Sequence, residues 1–445
     1  MKPSVLILGG GLSGIAAAAA LAAEGCSVQI VERHRYLGGR ASGFQDGEDW
    51  IDNCQHVVLG CCHSILDLFE RLKIRNLISF HSSIPFLANG KTTILSPSIF
   101  PAPFHFLPGF LAAPLFSVRE KWSILSLFAR LSVGHENAEI LEKMSMSEWL
   151  KKEKQPFSVI ERFWKIILIS SLNETLENMS AKYGVMVLKE AFLQSADSAA
   201  VGIPNVPLVS LYREAEKTLF GDLGVKSVRG TIKQIVFSES KPSVFLEEGT
   251  KLEADDLISS LPFYNLLPIL PLPLQEDPFF KRFRRLETTP IVGIHFWFDR
   301  KITDKRFGAF PGSPIHWFFA KPDENDSQGA YYIQLVISAS YEFSKTSNSE
   351  LIDMGIRELQ KYLPDSEKAN LVKSRLVREM RATFSIKPET DNLRPSHKTE
   401  IPHFYLAGDW TDTGWPATME GAVQSGYRCA ELILEQKGFQ KKILK

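Results

Sequence analysis

No charge of either sign dominates this sequence: 51 lysines and arginines stand against 51 aspartates and glutamates. A general nucleic-acid binder would carry a basic excess, so that class is set aside and no nucleic-acid partner is expected. Cysteine is scarce, with five in 445 residues: Cys26, Cys54, Cys61, Cys62 and Cys429. None falls in a CxxC pair, and no His/Cys cluster has zinc-ligand spacing. The expectation is therefore no structural disulfide, no metal, and reduced thiols in a cytosolic setting. No stretch reaches about 20 apolar residues without a polar group or a proline, so no transmembrane helix is expected. Met1-Lys2-Pro3-Ser4 leads straight into an apolar strand, which argues against a secretory signal peptide. Internal repeats and low-complexity tracts are missing too.

What is present is the composition of an ordered globular chain, 44% hydrophobic and 23% charged. Its length exceeds one simple core and predicts two domains, or a nucleotide domain with a large insertion. The N-terminus is the most informative stretch. Residues 5–8 form a short apolar strand, Gly9-Gly10-Gly11-Leu12-Ser13-Gly14 follows at once, residues 15–24 are alanine-rich and helix-forming, and residues 27–32 read as a second strand ending on Glu32. Strand, glycine turn, helix and strand in about 30 residues make a parallel βαβ unit. Gly9, Gly11 and Gly14 match GxGxxG. The first allows the tight turn, the second lets backbone approach a pyrophosphate, and the third packs helix against strand. The helix N-terminus, at Leu12 and Ser13, then faces the phosphates. Glu32 is placed to accept from ribose hydroxyls, which disfavours a 2′-phosphate and hence NADP.

Glu32-Arg33 and Leu37-Gly38-Gly39-Arg40 resemble the extended flavin motif of the amine oxidase and phytoene desaturase superfamily. That resemblance implies FAD rather than NAD, with Arg40 near the pyrophosphate. A second segment resembles the C-terminal FAD motif of the same superfamily: Leu406-Ala407-Gly408-Asp409-Trp410, then Gly414-Trp415-Pro416-Ala417-Thr418-Met419-Glu420-Gly421-Ala422. It implies that Asp409 binds the ribityl or pyrophosphate region. Backbone N–H groups at Thr418, Met419 and the start of the next helix, which includes Ala422, would face the flavin. Ile232 matches the place where backbone meets adenine. The expected fold is α/β: a Rossmann-like FAD-binding domain (residues 1–80, 205–262 and 395–445) with a discontinuous α+β substrate domain (81–204 and 263–394).

Asp52-Asn53-Cys54-Gln55-His56 and the tryptophan-rich tail further resemble the hydroxysqualene dehydroxylases. There the loop usually reads Asp-Asn-Gly-Gln-His, so Cys54 stands in place of a glycine. The resemblance implies reductive loss of an allylic hydroxyl from hydroxysqualene. The hydroxyl leaves as water, and hydride from reduced flavin N5 reaches the resulting cation. His56, or else Asp52, would be the acid. A long isoprenoid substrate and a reductant, which the sequence does not name, are the implied partners. Residues 99–118 hold a run of phenylalanines and leucines with four prolines. Two readings stand for this run: core of the substrate domain, or a membrane-dipping element at the cytoplasmic face. Lysines 437, 441, 442 and 445 could favour an anionic leaflet. Rival readings are a carotenoid-type desaturase or amine oxidase, and a non-catalytic isoprenoid escort.

Further along the chain, residues 159–172, 182–192, 349–363 and 420–436 read as helices. Residues 224–236, 243–246, 255–262, 291–298, 331–337 and 403–409 read as strands. Residues 288–340 would floor the substrate cavity.

Overall fold

Residues 5–8 have no polar face, as suits a strand covered on both sides. In the computed structural model they lie in β1 (Ser4–Leu8), and each is at most 1% exposed. The structure describes residues 3–88, 90–134, 136–238, 241–325, 329–439 and 442–444, with backbone only for 322–325. Lys441 and Lys445 of the tail lie outside the described residues. Helix α1 (Leu12–Ala23) and strand β2 (Ser27–Glu32) complete the βαβ unit. The parallel sheet runs Lys226–Arg229, β2, β1, Asp256–Ser259, Phe404–Leu406. Its strands thus come from three distant parts of the sequence.

A second, seven-stranded sheet runs Leu371–Phe384, Thr288–Phe298, Tyr331–Ser338, Trp317–Asn325, Phe307–Ala309, Ile84–Ala88, Lys91–Leu95. Helices from Leu107–Ala112 to Ala181–Phe192 pack beside it around a phenylalanine- and tryptophan-rich core. Among the described residues no helix is long and apolar enough to cross a membrane.

Two regular patterns in the sequence are interrupted in space. Residues 159–172 form one helical path, but a π turn (Ile160–Trp164) sits inside it. Residues 224–236 split into Lys226–Arg229 and Ile232–Val236, which belong to different sheets. The chain turns at Gly230, whose N–H donates to Glu32 O at 3.0 Å. Leu371–Phe384 is a 14-residue strand that periodicity does not reveal. It is the edge of its sheet, and its many Lys and Arg residues overwrite the apolar alternation, a usual way of protecting an edge.

α1 is held on both sides by backbone contact. A Cβ at Gly14 would lie 2.2 Å from Gly9 O, and one at Gly426 would lie 2.2 Å from Ser13 O. Gly426 belongs to the C-terminal helix (Met419–Gln436), which packs along α1 through Ala16 and Ala17. Alanine normally stabilises a helix over glycine by about 1 kcal/mol. Here the carbonyl cannot yield without separating the helices, and overpacking of that kind costs ~1–3 kcal/mol. Gly426→Ala is therefore expected to lower stability by about 1–2 kcal/mol, read as a lower melting temperature in calorimetry. An unchanged or higher melting temperature would show that the two helices can move apart freely.

Candidate functional site

In open α/β sheets ligands gather at the carboxyl ends of parallel strands. The same ends converge here. Gly9 follows β1, Glu32 ends β2, Ser260 follows Asp256–Ser259, and Gly408 follows Phe404–Leu406; all four line one cavity of about 1120 Å³. The opposite wall is the seven-stranded sheet, through Ile291, Phe307, Trp317, Phe319, Val336 and Ser338. Helices add Ile167, Met186, Val187 and Phe192. One continuous space thus joins a polar, glycine-lined end to an apolar, aromatic one.

The N-terminal motif residues Gly9, Gly11, Leu12, Ser13, Glu32, Arg33, Gly38, Gly39 and Arg40 all line the cavity. So do Ile232, Gly408, Asp409, Thr418, Met419 and Ala422. Gly14 lies behind the wall, consistent with its packing part. Gly11 differs in kind from Gly14. A Cβ added there meets nothing within 4 Å, and its φ of −74° suits any residue. Nothing in the chain itself requires glycine at position 11, whereas a dinucleotide lying against the backbone does. The residues present therefore fit FAD.

Glu32 is ordered by the turn it serves: its Oε2 accepts from Gly10 N–H at 2.7 Å and its Oε1 from His34 N–H at 2.8 Å. Arg40 joins the two ends of the chain. Its Nη2 donates to Asp409 Oδ1 at 2.5 Å, and its Nη1 donates to Ala382 O at 3.0 Å. Burial works against the guanidinium charge, and Asp409 more than offsets this, so Arg40 stays charged. The C-terminal helix begins at the N-cap Thr418, whose Oγ1 accepts from Gly421 N–H at 3.2 Å. Its N-terminus opens on the cavity, where a helix dipole favours negative charge.

The two candidate acids separate. His56 lines the cavity, and its Nδ1 lies 2.9 Å from Cys54 O. With the proton on Nδ1, Nε2 is left as an acceptor. Burial lowers the His56 pKa; the Cys54 carbonyl opposes this and Arg40 adds to it. Asp52 is not part of the lining. Its Oδ1 accepts from Leu208 N–H at 2.9 Å and so caps the helix Leu208–Glu216. Burial raises its pKa to about 6, against Lys321 and that hydrogen bond. Asp52 is thus a structural cap, and the expectation of it as an acid at the cavity is withdrawn. Cys54, at the place where the dehydroxylase loop it resembles carries glycine, is not among the residues with positive φ and so sits there without strain. Burial pushes its thiol up to about 12, which leaves it protonated and inert.

Three residues escaped the sequence reading. Glu420 lines the cavity and accepts from Ser64 and Ile65 N–H, both at 2.9 Å, which ties helix His63–Arg71 to the C-terminal motif. Arg394, 4% exposed, donates to Thr411 O, Asp409 O and Thr413 Oγ1, fixing the loop after Asp409. Arg381, on the unread strand, lies over the Tyr264 ring at 4.6 Å, and both line the cavity. The acid at 420 was visible inside the tail motif. The arginines had no local signal.

The chain matches the flavin-containing amine oxidoreductase family over residues 12–434. It belongs to that family. Its fold is the family's FAD-binding fold, and its cofactor is FAD. Among curated relatives, the 15-cis-phytoene desaturase of Arabidopsis thaliana is 27% identical, covering 98% of this chain and 80% of the relative. That of Synechococcus elongatus is 27% identical, covering 97% and 96%. Among solved structures, the cyclohexylamine oxidase of Brevibacterium oxydans is 16% identical with a TM-score of 0.72, covering 99% and 100%; at this identity the likeness is one of fold. The chain is an FAD-dependent oxidoreductase of this family.

Two outcomes are expected. Gly11→Val should leave the melting temperature of the FAD-free protein unchanged while sharply lowering FAD retained after gel filtration, because its side chain fills only the cofactor's space. Asp52→Asn keeps the capping oxygen and removes the charge. The folded pKa of Asp52 is raised, so the native state binds the extra proton and wild-type stability falls as pH rises from about 4 to about 6. The variant should therefore gain on wild type across that window, by about 1–3 kcal/mol at pH 7 relative to pH 4, in urea melts. Parallel curves for the two proteins would show that Asp52 titrates normally.

Proposed function

We propose that this family member reduces hydroxysqualene to squalene. The observation that carries the reading is the single cavity, cofactor motifs at one end and an apolar wall of Ile84, Ile167, Ile291, Phe307, Trp317 and Phe319 elsewhere, with His56 on its lining. The Asp52–His56 loop and the tryptophan-rich tail, which resemble the dehydroxylases, support it. The wall accepts a long hydrocarbon and excludes water, so that a cation formed there is not captured by solvent. A protonated His56 gives its proton to the substrate hydroxyl. The C–O bond breaks with its electron pair on oxygen, and water leaves an allylic cation. FAD, bound and reduced, supplies the hydride that completes squalene. A two-electron reductant must then restore the cofactor.

A second reading has an observation of its own. Burial favours a neutral His56, and with its Nδ1 proton held on Cys54 O the ring presents Nε2 as an acceptor, which suits a base. Removal of a proton and a hydride from a polyene is desaturation, the reaction for which the phytoene desaturases are named. The two readings require opposite electron flow and opposite His56 protonation.

Anaerobic single turnover separates them. Dithionite-reduced enzyme is mixed with hydroxysqualene, and lipid product and flavin absorbance are followed together. Squalene formed in step with flavin reoxidation is the expected result. Flavin that stays reduced, with oxidised enzyme bleached by phytoene instead, would replace the proposal with the second reading. Because the His56 pKa is lowered, the dehydroxylation rate should climb as pH falls through and below the ordinary imidazole range. His56→Gln should retain FAD, lose that pH dependence and slow turnover by roughly 10²-fold. Full turnover in this variant would remove His56 from the chemistry.

A further inference from the structure

The helix Val118–Val133 has two apolar faces. Ile124, Leu127, Phe128 and Leu131 are buried in the core. Val118, Trp122, Leu125, Ala129 and Val133 recur at helical spacing on the other side. Of these only Leu125 is partly covered; Val118 is 72% and Trp122 69% exposed. A helix facing water would be polar there. The elements leading into it continue the pattern. Ile94 on the edge strand Lys91–Leu95, Ile99, Phe100 and Phe104 in the next loop, and Leu111 in the helix Leu107–Ala112 are each more than half exposed. The segment 99–118 divides between core and surface. Phe106, Phe110 and Phe116 are core, whereas Ile99, Phe100, Phe104 and Leu111 face out.

Exposed charge on this face is basic, because the one carboxylate of the loop at 151–157, Glu153, is turned inward and pairs with Arg130. Residues 94–133 contain Arg119, Lys121 and Arg130 but a single carboxylate, Glu120. Glu120 is buried, where it closes the capping box with Ser117 and pairs with Arg162 at 2.5 Å. Exposed Lys151, Lys152 and Lys154 precede Phe157, itself 77% exposed. Gln155 binds this loop to the helix through Ser123 O at 3.1 Å. The face also backs directly on the cavity. Phe106 and Phe128 pack on Phe192 at 5.6 and 5.7 Å between ring centres, and Phe192 lines the cavity.

We propose that this face, built from residues 94–122 and the loop at 151–157, docks the protein on an anionic phospholipid bilayer. Isoleucine, phenylalanine and tryptophan enter the interfacial layer, and the lysines and Arg119 meet lipid phosphates. A second copy fits less well, because a two-fold contact would set the cations of one face against their own copies. The inference does not depend on which lipid the cavity accepts.

The test is flotation of the FAD-loaded full chain with vesicles of equal parts phosphatidylcholine and phosphatidylglycerol. Wild type is expected to float with them, and far less with phosphatidylcholine alone or in high salt. Phe104→Ser combined with Trp122→Ser should lower the partition coefficient about tenfold or more. Val372→Ser, exposed on the opposite edge strand of the same sheet, should float like wild type. Flavin absorbance and melting temperature report that each variant is folded. Wild type that stays at the bottom of the gradient overturns the proposal, as does flotation that the paired substitution leaves unchanged. A dimer in sedimentation velocity that this pair converts to monomer, with no flotation of wild type, would reassign the face to self-association.

Discussion

Everything at the cofactor end rests on how closely α1 can approach its neighbours. Backbone touches backbone on both flanks, at Gly14 against Gly9 and at Gly426 against Ser13. A single added methyl on either flank would push α1 off its strand or the C-terminal helix off α1. With α1 seated, its N-terminus lies beside the turn after β1, and the start of the C-terminal helix comes to the same space. Two helix ends and four strand ends then face one cavity. The alanines of α1 are therefore a spacing device as much as a propensity device.

The ion pair between Arg40 and Asp409 closes this arrangement. It links positions 369 residues apart, with side chains 33% and 6% exposed. Removing one partner would leave the other charge in a poorly solvated place, a far larger cost than losing a surface pair. Arg394 extends the same logic to the loop after Asp409. Cations and carbonyls, more than apolar packing, fix the shape of the cavity's polar end. Packing fixes the other end, where aromatic side chains from the seven-stranded sheet meet apolar side chains from the helices.

The cofactor end was legible in the sequence because its demands are local. A glycine at a fixed offset from a strand, or an acid at the end of the next strand, can be read from a short window. Nearly all the motif residues do meet in one cavity. The substrate end was not legible in this way. Leu371–Phe384 supplies Arg381, Ala382 and Thr383 to the wall, yet its charges hide its period. Asp52 stood behind His56 as a second candidate acid in the sequence, four residues away on one loop. Only the fold separates them, turning one side chain to a helix N-terminus and the other to the cavity. For residues 99–118 two readings stayed open in the sequence, because burial there follows tertiary contact and not a regular period.

The order in which the parallel sheet is assembled has a consequence for synthesis. β1 and β2 are made long before the rest of their sheet: β1 has its other neighbour in Asp256–Ser259, and the sheet ends on Phe404–Leu406. The helix that packs on α1 comes later still. A nascent chain thus carries half a nucleotide site, with an unpaired apolar strand edge, until residues 256–259 have been made. Cofactor capture waits longer, for residues 404–436, so FAD does not protect that edge while the chain is being made.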